Sequence, residues 1–359
     1  MISKEDLRQI SKVETSFPTL SIYLNTDEKI IKKRDFLKFF KTKSRYVNSL
    51  VINEKDQKYL STDIKKIEKL LNTIPTETKG IIIFANSKNH FFRSFPLLVS
   101  LENSISISET PNLLPALSLA DELAPYLVVL VDQGKARLLL IDENEVTKNI
   151  VIRTQIPGGH TKGGWSQGRF ARHRLKHVEE HNNKIIKALA GFKNYEHIIF
   201  AGHGKMIADL KKLLPKSLQK KVIKHLLAID MDEPVKNIIN KTASVIVESV
   251  RDEDKTFLSQ SLDRAHYNIN KIIDLISENE VQHIFLSDSF RRQGWKCDHC
   301  KAIGLDLIDI CHYCGGKINH VELAAIIVEK VLQNKNGAIH IIHDEDFDRR
   351  GGIAAVKRF

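Results

Sequence analysis

The chain has four cysteines, and their spacing is that of a metal site: Cys297 and Cys300 form one CxxC, Cys311 and Cys314 a second, with ten residues between the two. Each CxxC turn sets two thiolates on one side of a knuckle, and two knuckles complete a tetrahedral sulfur shell of the kind that holds structural Zn2+. Gly315 and Gly316 follow the second pair and supply the backbone freedom such a knuckle needs. A redox-active CxxC is the competing reading, but that motif usually occurs once, at a helix start. A closed four-sulfur shell leaves no open coordination position, so the expected role is structural. His299 and His312 lie inside the knuckles and read as surface residues rather than ligands. Clustered cysteines of this kind fit a reducing cytoplasm better than a disulfide-stapled secreted fold.

A second stretch carries chemistry of a different kind. Residues 156–178 read IPGGHTKGGWSQGRFARHRLKHV, with glycine pairs at Gly158–Gly159 and Gly163–Gly164 and no bulky apolar residue between them. Such a loop has no core of its own, and glycine lets the backbone pass close to another surface. From Val146 to Val178 there is no acidic residue, against seven cations: Lys148, Arg153, Lys162, Arg169, Arg172, Arg174 and Lys176. The loop should feed a helix from about Gly168 to Leu189, on which Arg169, Arg172 and Lys176 share a face. Phe170, Leu175 and Val178 are the expected anchors of that helix. A solvated helix usually mixes signs to gain i,i+4 pairs; this one accumulates like charge, which points to a phosphate-rich partner.

The elements that position these residues follow from periodicity. Strands are expected at Thr19–Asn25, Ile81–Ala85, Leu127–Asp132, Arg137–Asp142, Asn149–Thr154, His197–Ala201, His283–Ser287 and Ala338–Ile342. Gln133–Gly134–Lys135 reads as a hairpin turn. Helices are expected over Lys29–Val51, with a basic outer face, and over Val235–Val250, Leu262–Ser277 and Val321–Leu332. Glu109–Pro125 holds three prolines and reads as a linker with a helical turn near Leu117–Leu123. The Ala201–Lys205 segment lacks the spacer of a phosphate loop and reads as a strand-to-helix turn. Asp344–Arg350 reads as a charged surface loop. The result is three α/β domains, at about 1–120, 121–230 and 231–359, with a four-cysteine zinc ribbon inserted in the third. Lys and Arg exceed Asp and Glu by 55 to 44, which suits an anionic partner. The first twenty residues lack the apolar core of a secretory signal, and no apolar run approaches the ~20 residues of a membrane span.

The run Gly163–Gly164–Trp165–Ser166–Gln167–Gly168–Arg169–Phe170–Ala171–Arg172–His173–Arg174 resembles the loop and helix start of the archaeal and eukaryotic class-1 release-factor superfamily. That family reads Gly-Gly-Gln-Ser, two variable residues, Arg-Phe-Ala-Arg, one variable residue, Arg. The last residues, Gly351–Gly352–Ile353–Ala354–Ala355–Val356–Lys357–Arg358–Phe359, resemble the Gly-Gly-Ile-x-x-x-Leu-Arg-Tyr strand of the same family's third domain. Ser21–Asp27 is similar to the opening strand of bacterial members. The family's catalytic glutamine is replaced here by Trp165, and an indole offers one N–H donor and no acceptor. The resemblance therefore implies a protein like Pelota and its bacterial relatives such as Balon, with no catalytic residue for peptide release. It implies occupancy of the A site of the 70S ribosome, in hibernation or rescue, with Gly163, Gly164, Trp165 and Ser166 at the tip. Arg169, Arg172, Arg174 and Lys176 would lie on ribosomal RNA or tRNA. It further implies docking to a translational GTPase such as elongation factor Tu, and a cytoplasmic monomer. The enzymatic alternative is a peptidyl-tRNA hydrolase or a tRNA-cleaving quality-control factor.

Overall fold

The computed structural model describes residues 2–27, 35–76, 78–97, 99–122, 124–142, 145–157, 167–202, 204–305, 308–334 and 337–358. By contacts the chain divides into two compact units, one formed by residues 1–121 with 251–359, the other by 122–250. The first part holds α1 (Lys4–Ser11), β1 (Thr19–Asn25), α2 (Asp35–Ser49), α3 (Glu54–Leu71), β2 (Gly80–Asn86), β3 (Phe91–Leu97), β4 (Ser104–Ser108) and α4 (Leu114–Glu122). Its sheet is antiparallel throughout, in the order β3-β2-β1-β4. On α2 the residues Phe36, Phe40, Ser44 and Val47 are buried at helical spacing, whereas Leu50, past the helix end, is 53% exposed. Residues 109–125 do not form a linker. Leu113, Leu114, Ala116 and Leu117 are buried in the core, and the Tyr23 hydroxyl donates to the Asn112 carbonyl at 2.6 Å. The prolines of this stretch only shape the entry and exit of α4, and its apolar side chains are spent on packing.

The second unit contains β5 (Tyr126–Asp132), β6 (Lys135–Asp142), β7 (Glu145–Arg153), α5 (Gln167–Leu189), β8 (His197–Gly202), α6 (Gly204–Leu213), α7 (Lys216–Gln219), β9 (Val222–Leu227) and the first part of α8 (Val235–Ser261). The five strands lie in the order β7-β6-β5-β8-β9; β5, β8 and β9 run parallel, β6 and β7 antiparallel to their neighbours. Strand β5 is apolar at every position from Tyr126 to Val131 because both faces of the sheet are covered. Leu127, Val129 and Val131 pack with Ile185 and Leu189 of α5 and Ile207 and Leu210 of α6. Tyr126, Val128 and Leu130 pack with Ile238 and Ile246 of α8. Burial pushes the Tyr126 phenol up to about 12, its hydroxyl lying 2.9 Å from Thr242 Oγ1. At the sheet edge β7 alternates exposed and half-buried residues, as one-sided packing requires.

Helix α8 runs through to Ser261, and residues 262–267 are extended apart from one 3-10 turn, so the helix expected over Leu262–Ser277 begins only at Ile269. The charged run Arg251–Lys255 hides the continuation of α8 from hydrophobic periodicity. Beyond it come β10 (Ala265–His266), α9 (Ile269–Ser277), β11 (Val281–Ser287), β12 (Gln293–Cys297), β13 (Ile303–Gly304), β14 (Ile318–Glu322), α10 (Leu323–Gln333), β15 (Ala338–Ile342), α11 (Glu345–Arg349) and β16 (Ile353–Lys357). One sheet has the order β10-β16-β11-β15; a small antiparallel sheet, β13-β12-β14, is inserted between β11 and α10 and carries the cysteines. Helix α1 packs on α10, and a single core joins residues of the first part, such as Leu7 and Leu117, to Ile272, Leu323 and Ile327. No helix among the described residues is long and apolar enough to cross a membrane.

Candidate functional site

Helix α5 is built in two halves. From His181 on, His181, Asn182, Ile185 and Leu189 are buried, a stripe at spacings of three and four that holds this half on the sheet. Over Gly168–Glu180 no described side chain is buried, a stretch of roughly 20 Å at 1.5 Å per residue. Leu175, expected as an anchor, is 67% exposed because the buried stripe begins one turn later; Val178 is half-buried. The side chain of Phe170 lies outside the described residues.

The exposed half carries the cations. Arg169, Arg172 and Lys176 are exposed and have no ion pair among the described residues. Arg174 is half-buried, and its Nη2 donates to Gln133 Oε1 of the β5–β6 turn at 3.4 Å. His173 and His177 stack edge to face at 4.6 Å, and His177 Nδ1 lies 3.5 Å from Glu180. The expected tip residues Gly163, Gly164, Trp165 and Ser166 lie outside the described residues.

What fixes the root of this helix was not singled out in the sequence. His181 is fully buried, its Nδ1 3.0 Å from Thr154 Oγ1, and its Nε2 has no hydrogen-bond partner. Burial lowers its pKa, and the Lys184 charge lowers it further, against a backbone contact at Lys135 that raises it. Thr154 in turn donates its N–H to the Gly134 carbonyl at 2.7 Å. Gly134 has φ +73°, and a Cβ there would stand 2.4 Å from the Thr154 carbonyl oxygen. Hairpin turn, strand end and helix root are thus locked together. The signal was present, since His181 lies on the same 3–4 stripe as Ile185 and Leu189.

The four cysteines come together. Their Sγ atoms all lie within 4.8 Å of one another, with Cys297–Cys314 at 3.5 Å and Cys300–Cys311 at 3.6 Å. A disulfide needs about 2.05 Å. A tetrahedral shell with metal–sulfur bonds of about 2.3 Å spaces its sulfurs about 3.8 Å apart, so the donor set fits a metal ion. The knuckles are closed by Cys297 N–H to the Ala302 carbonyl at 2.8 Å and Cys311 N–H to the Gly316 carbonyl at 2.9 Å. Gly315 sits at φ +69°, and a Cβ on Gly316 would be 3.2 Å from Cys314 Sγ and 3.4 Å from Cys297 Sγ. His299 and His312 are exposed, outside the sulfur set. The Asn319 amide donates to Asp298 Oδ1 at 2.5 Å and also to Glu109, tying the ribbon to the first part of the chain. Burial, then the Asp298 charge, push the Glu109 carboxyl up.

Residues 111–246, less than half of the chain, match the family described as bacterial archaeo-eukaryotic release factor family 10. The matched segment contains the whole of α5 and the sheet that holds it. Over that segment the chain resembles a bacterial release-factor family. Solved structures similar to this chain include the archaeal translation termination factor aRF1, at 13% identity over 100% of this chain and 99% of that one, TM-score 0.28. Archaeoglobus fulgidus Pelota is 16% identical over 78% and 79%, TM-score 0.35. S. cerevisiae Dom34, a translation termination-like factor, is 11% identical over 99% and 91%, TM-score 0.36. These distant likenesses carry no argument about function, and the family match speaks for residues 111–246. No curated protein matches the sequence. The closing Gly351–Gly352 motif has a local structural role. Both glycines have positive φ, 106° and 64°, where the chain turns from α11 into the buried strand β16, and Gly352 accepts from Ser287 N–H at 2.8 Å.

Proposed function

We propose that this chain is a ribosome-binding translation factor that occupies the A site without peptide-release chemistry, in hibernation or rescue of idle or stalled ribosomes. The observation that carries this reading is the exposed half of α5, roughly 20 Å of helix whose cations Arg169, Arg172 and Lys176 are unpaired among the described residues. Helix geometry spaces them for successive phosphates of ribosomal RNA or tRNA. Gly163, Gly164, Trp165 and Ser166 form the tip that reaches the peptidyl-transferase centre, where Trp165 stacks on a base. Trp165 cannot do the work of an amide that both donates to and accepts from an attacking water. The four-cysteine ribbon holds Zn2+ through Cys297, Cys300, Cys311 and Cys314 as a structural clasp. A translational GTPase, elongation factor Tu in a bacterium, is the delivery partner, and the site of action is the cytoplasm.

The test is pelleting of the full chain with 70S ribosomes across a potassium series. Three to four neutralised phosphates give a log–log slope of about −3. Arg169→Ala/Arg172→Ala/Lys176→Ala should abolish binding at moderate salt and flatten the slope. Unchanged pelleting by the triple variant at every potassium concentration would remove the basis of the proposal.

A further inference from the structure

In the unit formed by residues 1–121 and 251–359, the end of α8, the extended stretch to Tyr267, the end of β15 and α11 enclose a recess of about 320 Å³. This is near the lower end of the range of small-molecule pockets, about 300–1,000 Å³. Its walls are apolar: Leu258, Ile342 and Phe347 are buried core residues, and Leu262 lies at the rim, 44% exposed.

The polar lining decides what would fit. Asp344, expected on a surface loop, caps α11, accepting from the N–H groups of Asp346 and Phe347 at 3.0 and 3.1 Å. It also pairs with Lys255 at 3.1 Å, which holds its carboxyl below the usual range. Asp346 is taken by Arg349 at 2.9 Å. The Ser259 hydroxyl donates to the Lys255 carbonyl at 3.0 Å. Both acids of the recess are therefore committed. Two groups are not. The Arg350 guanidinium has neither hydrogen bond nor ion pair among the described residues, and the buried Tyr267 hydroxyl has no partner. They are close enough for the Arg350 charge to act on the phenol. A donor surplus above apolar walls calls for an acceptor with an apolar body.

We propose that this recess binds a small amphipathic monoanion, an aromatic or branched aliphatic group bearing one carboxylate. The head group meets Arg350, with Lys255 behind it; the ring or branch lies on Leu262, Ile342 and Phe347. The fixed negative charge of Asp344 disfavours a second charge on the ligand. The site is independent of α5 and of the ribosome reading.

The test is ¹⁹F NMR of 4-fluorophenylacetate titrated with the full chain, with 4-fluorobenzyl alcohol and sodium acetate as controls. Saturable broadening is expected in the millimolar range or tighter, weakened about tenfold by Arg350→Gln. Leu262→Asp, a change at an exposed position, should weaken it comparably, and circular dichroism checks that both variants fold. Neither the alcohol nor acetate should compete at equal concentration. The proposal is overturned by absence of saturation at about 10 mM, by Arg350→Gln binding within twofold of wild type, or by either control competing as well as the arylacetate.

Discussion

At the scale of single residues, this molecule uses buried polar groups as fasteners. His181 is enclosed at the root of α5 with its imidazole pKa lowered chiefly by burial. In the unfolded chain it titrates near 6.5. Below that value the unfolded state binds the proton more readily than the folded one, so its contribution to stability is complete above about pH 6.5 and is lost as pH falls through the lower folded pKa. His283 is shifted the same way, by burial and then by His340 and Arg264, and adds to the slope. Urea unfolding at pH 5 and pH 7.5 should therefore show stability falling with acid, and His181→Asn should flatten part of that dependence; a slope identical to wild type would refute the assignment. The ribbon glycines work by space. A methyl group on Gly316 meets two thiolate sulfurs at 3.2 and 3.4 Å. Gly316→Ala is expected to weaken zinc binding about tenfold or more, and Cys300→Ser to lower zinc stoichiometry from about one per chain towards zero, read by metal analysis after dialysis.

Among the elements, α5 shows where periodicity succeeds and where it misleads. Its limits were legible from the apolar 3–4 spacing, but Leu175 also fits that spacing and is nevertheless exposed. Pattern alone does not say how far the supporting sheet extends beneath a helix. The prolines of residues 109–125 similarly suggested a linker, although Leu113, Leu114 and Leu117 are core. The two classes of leucine should separate in stability measurements. Leu175→Ala should change the urea midpoint little, within about 0.5 kcal/mol. Leu189→Ala, at a fully buried position, should cost about 2–5 kcal/mol with the same m-value. Equal costs would mean that the exposed half of α5 packs against the unit, and that its cations are not free for a partner.

For the whole molecule, the distribution of charge narrows the role. The middle unit holds 21 Lys and Arg against 13 Asp and Glu, most of the surplus of the chain, and its exposed helix collects like charges that no fold requires. The cysteine knuckles, the glycine turn at 351–352 and the arginine register were readable because each depends on residue type at short range. That residues 1–121 and 251–359 form one unit was not readable. The packing of α1 on α10, with Gln333 donating to the Ser11 carbonyl, joins residues more than 300 positions apart through ordinary apolar faces that carry no local signature. The remaining question at this scale is what the chain does with an indole where the motif it resembles has an amide. Side-chain chemistry predicts that the wild-type chain binds 70S ribosomes yet leaves peptidyl-tRNA intact, because no group at position 165 both accepts from and donates to a water. Trp165→Gln restores that pair of functions, and single-turnover release of labelled peptide should then rise above the ribosome-only rate while pelleting stays within about twofold. Turnover by the wild-type protein itself would instead make it a hydrolase and assign the tip a catalytic role that does not run through an amide.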